Sequence, residues 1–302
     1  MRFFRRISER GLTAYLRLSD RIAYACVDRR ATVPKLLAVG VLPVTAENWK
    51  EALSRLPRKG PVSLVLRPSD YKLRLLDAPN VPADEVKSAV RWQIQDMLDF
   101  HASDGTVDVL EVPHPEHLTH VRQIFAVAAK NSLLAEEAVL ASNAGLNLGI
   151  IDIMETAQRN LTIRLESPGR AMALFSFIET GCLLTLTLDG ELCVARTLGV
   201  NQTLLEGEGR NDALERLALE IQRSLDHFDR QFGGVPVDRL LLAPMEHVGP
   251  LRDGLSANLA IKVEVLNLAD VLDVSGVPDV NALPLPCFHA IGAALRMEDT
   301  KP

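Results

Sequence analysis

Three consecutive residues near the middle of the chain have the types and the spacing that could hold a phosphate group. Glu179, Thr180 and Gly181 supply a carboxylate, a spacer and a glycine at the head of a predicted hairpin, residues 177–199, which contains an Asp-Gly turn. A carboxylate can organise Mg²⁺ and its waters, and a glycine lets backbone N–H groups approach phosphate oxygens. The sequence therefore raises the question of whether the chain binds a nucleotide such as ATP.

A run of three histidines is a second candidate for chemistry. His114, His117 and His120 stand three residues apart, close to the spacing of some metal ligands. Pro113 and Pro115 argue against a regular helix there, and no cysteine or carboxylate cluster lies nearby to complete a site. An exposed hairpin loop is the favoured interpretation, and a metal site is the alternative.

The sequence signatures of common enzymes are missing. There is no GxSxG nucleophile motif, no GxxxxGK phosphate loop, no HExxH zinc motif and no GxGxxG after a predicted strand. Asp96 and Asp99 are neighbours on a predicted helix, but paired carboxylates on an exposed helix face are usually solvated charge. We therefore expect a protein that is not an enzyme.

The composition is that of an ordinary globular protein. The chain has 302 residues, 47% of them hydrophobic and 24% charged, which is enough for two domains or one elaborate α/β unit. Cys26, Cys182, Cys193 and Cys287 are scattered without a CxxC pair, which favours reduced, packed thiols. No apolar stretch reaches the roughly 20 residues of a membrane span, and the N-terminus lacks the apolar segment of a signal peptide. We expect a cytoplasmic location.

The net charge of −6 conceals an uneven distribution along the chain. Residues 1–74 carry 16 Lys and Arg against 6 Asp and Glu, a balance of +10, so residues 75–302 carry −16. A short basic and apolar stretch begins the chain: Arg2, Phe3, Phe4, Arg5 and Arg6. It could contact an anionic membrane surface reversibly, and a solvated terminus is the alternative. No nucleic-acid partner is expected, because the basic residues do not form a stacking surface with aromatic residues.

Hydrophobic periodicity predicts an α/β fold. Alternating apolar residues predict strands over 22–27, 36–41, 62–66 and 73–76. A helix is predicted between the second and third of these strands, over 45–56, because its apolar residues share one face.

A small α/β insertion is predicted over about residues 78–145. Its first helix covers about 83–100, and Trp92 lies about 200° from the apolar stripe of that helix. Trp92 therefore either packs on a neighbouring element or contacts a partner. Strands over 106–112 and 121–128 follow, and a helix over 132–144 closes the block.

A second α/β half begins after a turn-rich boundary near residue 168. Its longest helix covers about 212–232 and ends at two glycines. The other predicted elements are strands over 171–178, 182–188, 192–197, 240–243 and 261–265 and a final helix over about 289–297.

Five segments resemble, in their order along the chain, the PilM-type pilus biogenesis proteins and especially the MshI proteins of the MSHA pilus. They are NVPADEVKSAVRWQIQDMLDF, DIMETAQRNL, DGELCVARTLG, LALEIQRSLDHFDRQFGGVPVDRLLLAP and HAIGAALR. The resemblance covers nearly the whole chain and implies an actin-like, ribonuclease H-like α/β fold, similar to that of FtsA. Two lobes, 1–168 and 169–302, would flank a cleft, with the small inserted subdomain at one corner and the final helix packing back on the first lobe.

Nucleotide-binding members of that superfamily hold ATP with two Asp-x-Gly hairpins and a Gly-Gly loop, and this chain departs from all three. The first hairpin has Ser19 and Asp20 but neither the glycine nor the expected lysine. The second has Glu179 instead of aspartate and retains Gly181. In the third, Pro244 begins a Pro-Met-Glu sequence where the glycines would stand, and proline has no N–H to offer. The resemblance therefore implies a degenerate nucleotide cleft that works without ATP, Mg²⁺ or another cofactor.

We accordingly expect a non-catalytic scaffold of the assembly platform of a type IV pilus of the MSHA type. It would be peripherally associated with the cytoplasmic face of the inner membrane. Its partner would be the cytoplasmic tail of a PilN-like inner-membrane protein, held between the first lobe and the insertion. Trp92, Tyr71 and Met97 are the candidate contacts. One alternative is a nucleotide-switched ATPase of the same platform. Another, the cytoplasmic domain of a type II secretion platform protein, would require a membrane span after Pro302. The sequence leaves the oligomeric state open.

Overall fold

The computed structural model describes residues 11–58, 60–114, 121–205, 207, 209–277 and 279–296. Their strands are β1 (Leu12–Arg17), β2 (Arg21–Asp28), β3 (Lys35–Pro43), β4 (Val62–Val65), β5 (Tyr71–Asp77), β6 (Gly105–Glu111), β7 (Gln123–Lys130), β8 (Leu148–Asp152), β9 (Ala171–Ile178), β10 (Gly181–Leu188), β11 (Glu191–Leu198), β12 (Val237–Leu242) and β13 (Val263–Val265). Their α-helices are α1 (Trp49–Ser54), α2 (Val86–Gln93), α3 (Asn131–Asn143), α4 (Met154–Thr162), α5 (Arg210–Phe232), α6 (Val248–Asn258) and α7 (Leu285–Ala294).

The first lobe is built on a five-stranded sheet with the order β3-β2-β1-β4-β8. β1, β2 and β3 are antiparallel neighbours, whereas β1, β4 and β8 run parallel. Both faces of β1 are buried, because Ala14 and Leu16 face one core cluster and Tyr15 faces another. Strands that are covered on both faces read as continuous apolar runs, which is why β1 and β4 lack a polar alternation.

The second lobe repeats this arrangement. Its sheet has the order β11-β10-β9-β12-β13, again with three antiparallel strands beside parallel ones. The long helix α5 packs on this sheet with Leu217, Ile221 and Phe228 fully buried. The two lobes therefore share one strand order, a duplication that the sequence does not reveal.

Each lobe contributes one helix to the other. α4 follows the last strand of the first sheet but packs on β9, β10 and β11, and α7 follows the second sheet but packs on β1, β2 and β4. The two helices also pack against each other. α7 begins earlier than the predicted residue 289, because Pro286 is tolerated in its first turn.

The segment before α7 also returns to the first lobe. Asp273 accepts a backbone hydrogen bond from Leu36 and donates one to Pro34, each at 2.8 Å, at the outer edge of β3. Lys35 pairs with the Asp273 carboxylate at 3.4 Å. The lobes are thus joined by backbone pairing as well as by helix packing.

The insertion is a three-stranded antiparallel sheet with the order β5-β7-β6. α2 covers one face with Val90 and Ile94. On the other face, Phe125 packs into the core of the second lobe. The strand that the sequence analysis assigned to the first α/β unit, over 73–76, is part of β5 and belongs to this sheet, which begins before the predicted boundary at residue 78. α3 instead packs with α1 and β8 in the first-lobe core.

Candidate functional site

The carboxyl ends of β1, β4 and β8 meet at one edge of the first sheet, because these strands are parallel. Arg17 ends β1, Arg67 follows β4 and Asp152 ends β8. The turn that carries Ser19 and Asp20 lies at the same edge, since it joins β1 to β2. Open α/β sheets bind ligands at such an edge, so it defines the candidate cleft.

The Asp20 carboxylate is occupied by its neighbour. The Arg21 guanidinium donates two hydrogen bonds to it, Nε to Oδ1 at 2.7 Å and Nη2 to Oδ2 at 2.6 Å. These bonds hold the pKa of Asp20 below its usual range. Ser19 is exposed beside it. The exposed Asp20 carboxylate is thus paired with Arg21 in this structure.

Glu179 is exposed in the turn between β9 and β10. The pKa of Arg21 is raised mainly by Asp20, and that of Arg67 mainly by Asp70, and the charge of Glu179 adds to both effects. Glu179 is therefore close enough to Arg21 and Arg67 of the first lobe for its charge to act on theirs.

The remaining charges at the cleft edge are paired with one another. Arg67 donates two hydrogen bonds to Asp70, each at 2.9 Å. The buried Asp152 carboxylate accepts from the backbone N–H of Ile153 and from Arg296 Nη1, both at 3.0 Å. Among the residues that the structure describes, no group of three or more His, Cys, Asp or Glu side chains could hold a metal ion.

Gly181 has a structural reason to be glycine. Its φ of +150° is rarely adopted by other residues, and a Cβ atom there would overlap the carbonyl oxygen of Leu198 in β11. The glycine permits the close approach of β10 and β11 whether or not a phosphate is present. Its retention is therefore not evidence for a nucleotide.

The third loop, which follows β12, carries side chains where a nucleotide-binding loop needs bare backbone. Pro244 is buried, and Met245 and Glu246 line a cavity of about 220 Å³ beside the start of α5. The pairing of Asp20 with Arg21 in the first loop and the Pro-Met-Glu side chains in the third are the features that count against ATP and Mg²⁺.

The structure does not bring the three predicted partner contacts together. Trp92 and Met97 are 76% and 47% exposed, on and just after α2. Tyr71 is only 5% exposed and belongs to the first-lobe core, on the opposite face of the inserted sheet from α2. The Tyr71 hydroxyl donates a hydrogen bond to Glu155 Oε2 at 2.5 Å. Any single partner surface therefore contains either Tyr71 or the pair Trp92 and Met97.

A cavity of about 390 Å³ lies where the inserted sheet meets both lobes, and we call it the junction cavity. It is lined by Pro68, Tyr71, Lys72, Leu73, Arg74, Glu155, Ala195 and Thr197. Glu155 is fully buried in the first turn of α4, and desolvation raises its pKa. The sequence analysis missed Glu155, because an acid in the first turn of a helix is an ordinary feature.

A buried series of hydrogen-bonded polar side chains joins α4 and α7 to the second sheet. Thr185 Oγ1 donates to Gln158 Oε1 at 2.7 Å, and Gln158 Nε2 donates to Ser176 Oγ at 2.5 Å. The Ser176 hydroxyl lies 3.1 Å from His289 Nε2. Burial lowers the pKa of His289 to about 4, so its ring is neutral at pH 7. Thr185, Ser176 and His289 stand in apolar runs and Gln158 stands in a polar stretch, so only their partners across the fold identify them.

Several predicted residues lie outside the part of the chain that the structure describes. They are His117 and His120 of the histidine run and the basic stretch of Arg2, Phe3, Phe4, Arg5 and Arg6. Within the described part, no helix combines the length and the apolar character that crossing a bilayer demands.

Comparison by sequence finds no relative: no family model matches the chain, and no significant match is found among curated proteins. Comparison of structures, in contrast, finds similar proteins. The PilM–PilN type IV pilus biogenesis complex contains a chain that superposes with a TM-score of 0.74 at 16% identity, over 94% of this chain and 97% of that chain.

Two further solved structures are similar at lower scores. The cytoplasmic domain of EpsL, an inner-membrane component of the type II secretion system of Vibrio cholerae, gives a TM-score of 0.52 at 11% identity, covering 95% of this chain and 96% of that one. A Bacteroides thetaiotaomicron protein with an actin-like ATPase fold and unknown function gives 0.51 at 11% identity, covering 89% and 95%. The chain thus has the predicted actin-like, two-lobed fold, and its predicted resemblance to PilM-type proteins is confirmed at the level of fold.

Proposed function

We propose that this protein is a non-catalytic scaffold of a type IV pilus assembly platform of the MSHA type, on the cytoplasmic side of the inner membrane. The observation that carries the proposal is the similarity, over nearly the full length of both chains, to a chain of the PilM–PilN complex. The likeness to the EpsL cytoplasmic domain supports the same setting. The partner in this proposal is the cytoplasmic tail of a PilN-like inner-membrane protein.

The absence of catalysis is part of the proposal, and the cleft supports it. Arg21 neutralises Asp20 in the first loop. In the second loop, the close approach of the Leu198 carbonyl oxygen accounts for the glycine at position 181. In the third, Pro244 begins a loop with side chains where the Gly-Gly pair would stand. The first and third loops lack the glycines that give a Mg²⁺-bound triphosphate its bare backbone, and the Asp20 carboxylate is paired with Arg21. A two-lobed body suits a protein that holds other proteins.

The junction cavity is the proposed site of the tail. It lies between the first lobe and the insertion, and it includes Tyr71, one of the predicted contacts. An extended peptide offers main-chain hydrogen bonds and a few side chains to anchor in such a cavity. Trp92 and Met97 form a second exposed surface on the outer side of the insertion, which the same assay tests.

The experiment is calorimetric titration of the protein with synthetic tails of the single-span membrane proteins encoded beside it. Thr197→Trp places a large side chain into the junction cavity from an exposed position, and we expect it to weaken binding at least about tenfold, or about 1.4 kcal/mol. Trp92→Ala tests the α2 surface. Leu219→Ala, an exposed apolar residue on α5, is the matched control and should change nothing.

The outcomes separate the two surfaces. A loss with Thr197→Trp alone supports the junction cavity, and a loss with Trp92→Ala alone moves the tail to the α2 surface. If no tail binds the unmodified protein, the scaffold proposal fails. Tails from type II secretion proteins belong in the same series, because the EpsL likeness supports that platform as the second candidate.

Peripheral membrane contact is a separate part of the proposal. It rests on the basic stretch of residues 2–6, which carries three arginines. We expect the full chain to co-sediment with vesicles that contain anionic lipid, and a variant without residues 1–10 to remain in the supernatant. Equal sedimentation of both proteins would contradict a role for this stretch.

A further inference from the structure

The outer edge of β11 is an open strand edge that faces a cavity. β11 is the terminal strand of the second-lobe sheet and pairs only with β10. Within the described residues its other edge makes no backbone-to-backbone hydrogen bond. An open edge presents a row of N–H and C=O groups to any extended chain that can reach it.

A second cavity, which we call the seam cavity, lies between β11 and the inserted sheet and has a volume of about 210 Å³. Four consecutive residues of β11, from Cys193 to Arg196, line one side. Successive side chains of a strand point to opposite faces, so a wall of consecutive residues shows that the edge itself faces the cavity. The opposite wall is formed by Leu73, Leu75 and Phe125, with His227 of α5 at one end.

The seam cavity and the junction cavity are adjacent, because Leu73 and Ala195 line both. The seam cavity itself follows β11 from Cys193 to Arg196, four residues that span about 14 Å at the strand rise of 3.4 Å. This length suits a short extended segment. A folded sheet of a second copy would have to displace the inserted sheet, which forms the other wall.

The charges around the seam select the segment. Arg196 and Arg230 make no ion pair within the described part of the chain. Burial lowers the pKa of His227, and the positive charges of these two arginines lower it further. The facing wall is apolar, with Leu73, Leu75 and Phe125. An extended segment that alternates apolar and acidic residues would satisfy both sides, since charge-assisted bonds from arginine to a carboxylate are the strong ones.

We propose that the seam binds an extended acidic segment of another protein, which adds to β11 as a sixth strand and places a carboxylate beside Arg196. This site goes beyond the proposed function, because it joins the insertion to the second lobe and takes an acidic partner through strand addition. It does not depend on the identity of the membrane tail.

The experiment begins with selection of random peptides of about twelve residues, displayed on phage, against the folded full chain. We expect the enriched peptides to alternate apolar and acidic residues. A synthetic copy of the most enriched peptide should bind Arg196→Glu at least about tenfold more weakly than the unmodified protein. Arg223→Glu, at an exposed position on α5, is the control and should bind as the unmodified protein does. Arg196→Gln repeats the test without charge reversal.

Hydrogen exchange locates the bound peptide. Strand addition predicts slower exchange at alternate amides of residues 193–198 when the synthetic peptide is present, because those N–H groups acquire acceptors. The proposal is overturned if no acidic peptide is enriched, if Arg196→Glu binds as well as Arg223→Glu, or if the slowed amides lie elsewhere. A peptide-dependent dimer in size-exclusion chromatography would also overturn it, in favour of edge pairing between copies. None of these outcomes decides the binding of membrane tails.

Discussion

Gly292 of α7 lies directly against the main-chain carbonyl oxygen of Ala157 in α4, so closely that a Cβ atom at position 292 would overlap that oxygen. The Asn160 side chain donates a hydrogen bond to the Gly292 carbonyl oxygen at 3.0 Å beside this contact. Because α4 and α7 each pack on the sheet of the opposite lobe, the contact sets how closely the lobes approach each other.

Gly292→Ala should therefore destabilise the whole protein. Overpacking a close helix contact costs about 1–3 kcal/mol, and we expect the free energy of unfolding in urea to fall by that amount. Gly249→Ala in α6 is the matched control, because no atom lies within 4 Å of its added methyl group, and helix propensity predicts a gain of up to about 1 kcal/mol. Equal effects of the two substitutions would show that the contact has room to relax.

Gly181→Ala tests whether the glycine of the second hairpin is structural. The overlap with Leu198 and the unusual φ predict a loss of about 1–3 kcal/mol in the free energy of unfolding. Gly199→Ala is the control, since nothing lies within 4 Å of its added Cβ atom. The loss should be the same with and without Mg-ATP. A protein that keeps its stability after Gly181→Ala would reopen the phosphate interpretation.

Mg-ATP at millimolar concentration should leave the melting temperature unchanged. A ligand at about 100 times its Kd adds about 2.7 kcal/mol to the apparent stability, which a thermal-shift series detects easily. We expect no saturable rise, because the proposed function assigns no triphosphate to the cleft. A saturable rise that Glu179→Gln abolishes would contradict this and support the nucleotide-switched alternative.

His289 should make the protein sensitive to acid. Burial lowers its pKa from 6.5 to about 4. A base with a depressed folded-state pKa binds protons preferentially when unfolded, so its contribution is complete above about pH 6.5 and is lost as the pH falls towards 4. The difference between these two pKa values corresponds to at most about 3 kcal/mol in the free energy of unfolding.

His289→Gln should flatten the fall of the unfolding free energy between pH 6.5 and 4, measured by urea denaturation at each pH. The raised pKa of buried carboxyl groups such as Glu155 acts in the opposite sense, but it is common to both proteins. His247→Gln, at an exposed position, serves as the control. Parallel pH profiles of His289→Gln and the unmodified protein would refute the assignment.

Tyr71→Phe removes the hydroxyl that donates to Glu155. The buried carboxylate then lacks its donor, so we expect a loss of about 1–3 kcal/mol near pH 7. Its pKa, already raised by desolvation, rises further, and a raised carboxyl pKa favours the folded state as the pH falls. The deficit should therefore shrink in acid. Tyr24→Phe, at a half-buried position in β2, is the control, and a deficit independent of pH would argue against the Glu155 bond.

The parts of the fold that could be predicted from the sequence are those set by local pattern. α5, predicted over 212–232, spans Arg210–Phe232, because its apolar stripe is long and Gly233 and Gly234 end it. The turn at Glu179 and Thr180 was also predictable, since it separates two apolar runs. The degenerate third loop at Pro244 stays a prediction from the residues themselves.

The parts that could not be predicted depend on distant contacts. α6 contains Gly249, Pro250 and Gly254, which argue against a helix in the sequence, yet Leu214 of α5 packs where a side chain at 254 would lie. β5 belongs to the inserted sheet only because it pairs with β7, about 50 residues later. That pairing turns Tyr71 inward and leaves α2 outside, so Trp92 and Tyr71 were wrongly placed in one groove.

A ribosome that makes this chain delivers α7 only after every strand of both sheets has been synthesised. Until then one face of the first sheet, with Ala14, Leu16 and Ala25, has no helix to cover it. Domains usually fold in the order of their synthesis, but here the N-terminal half of the nascent chain must wait, incompletely folded, for the C-terminal helix. An apolar face that stays uncovered during folding favours aggregation.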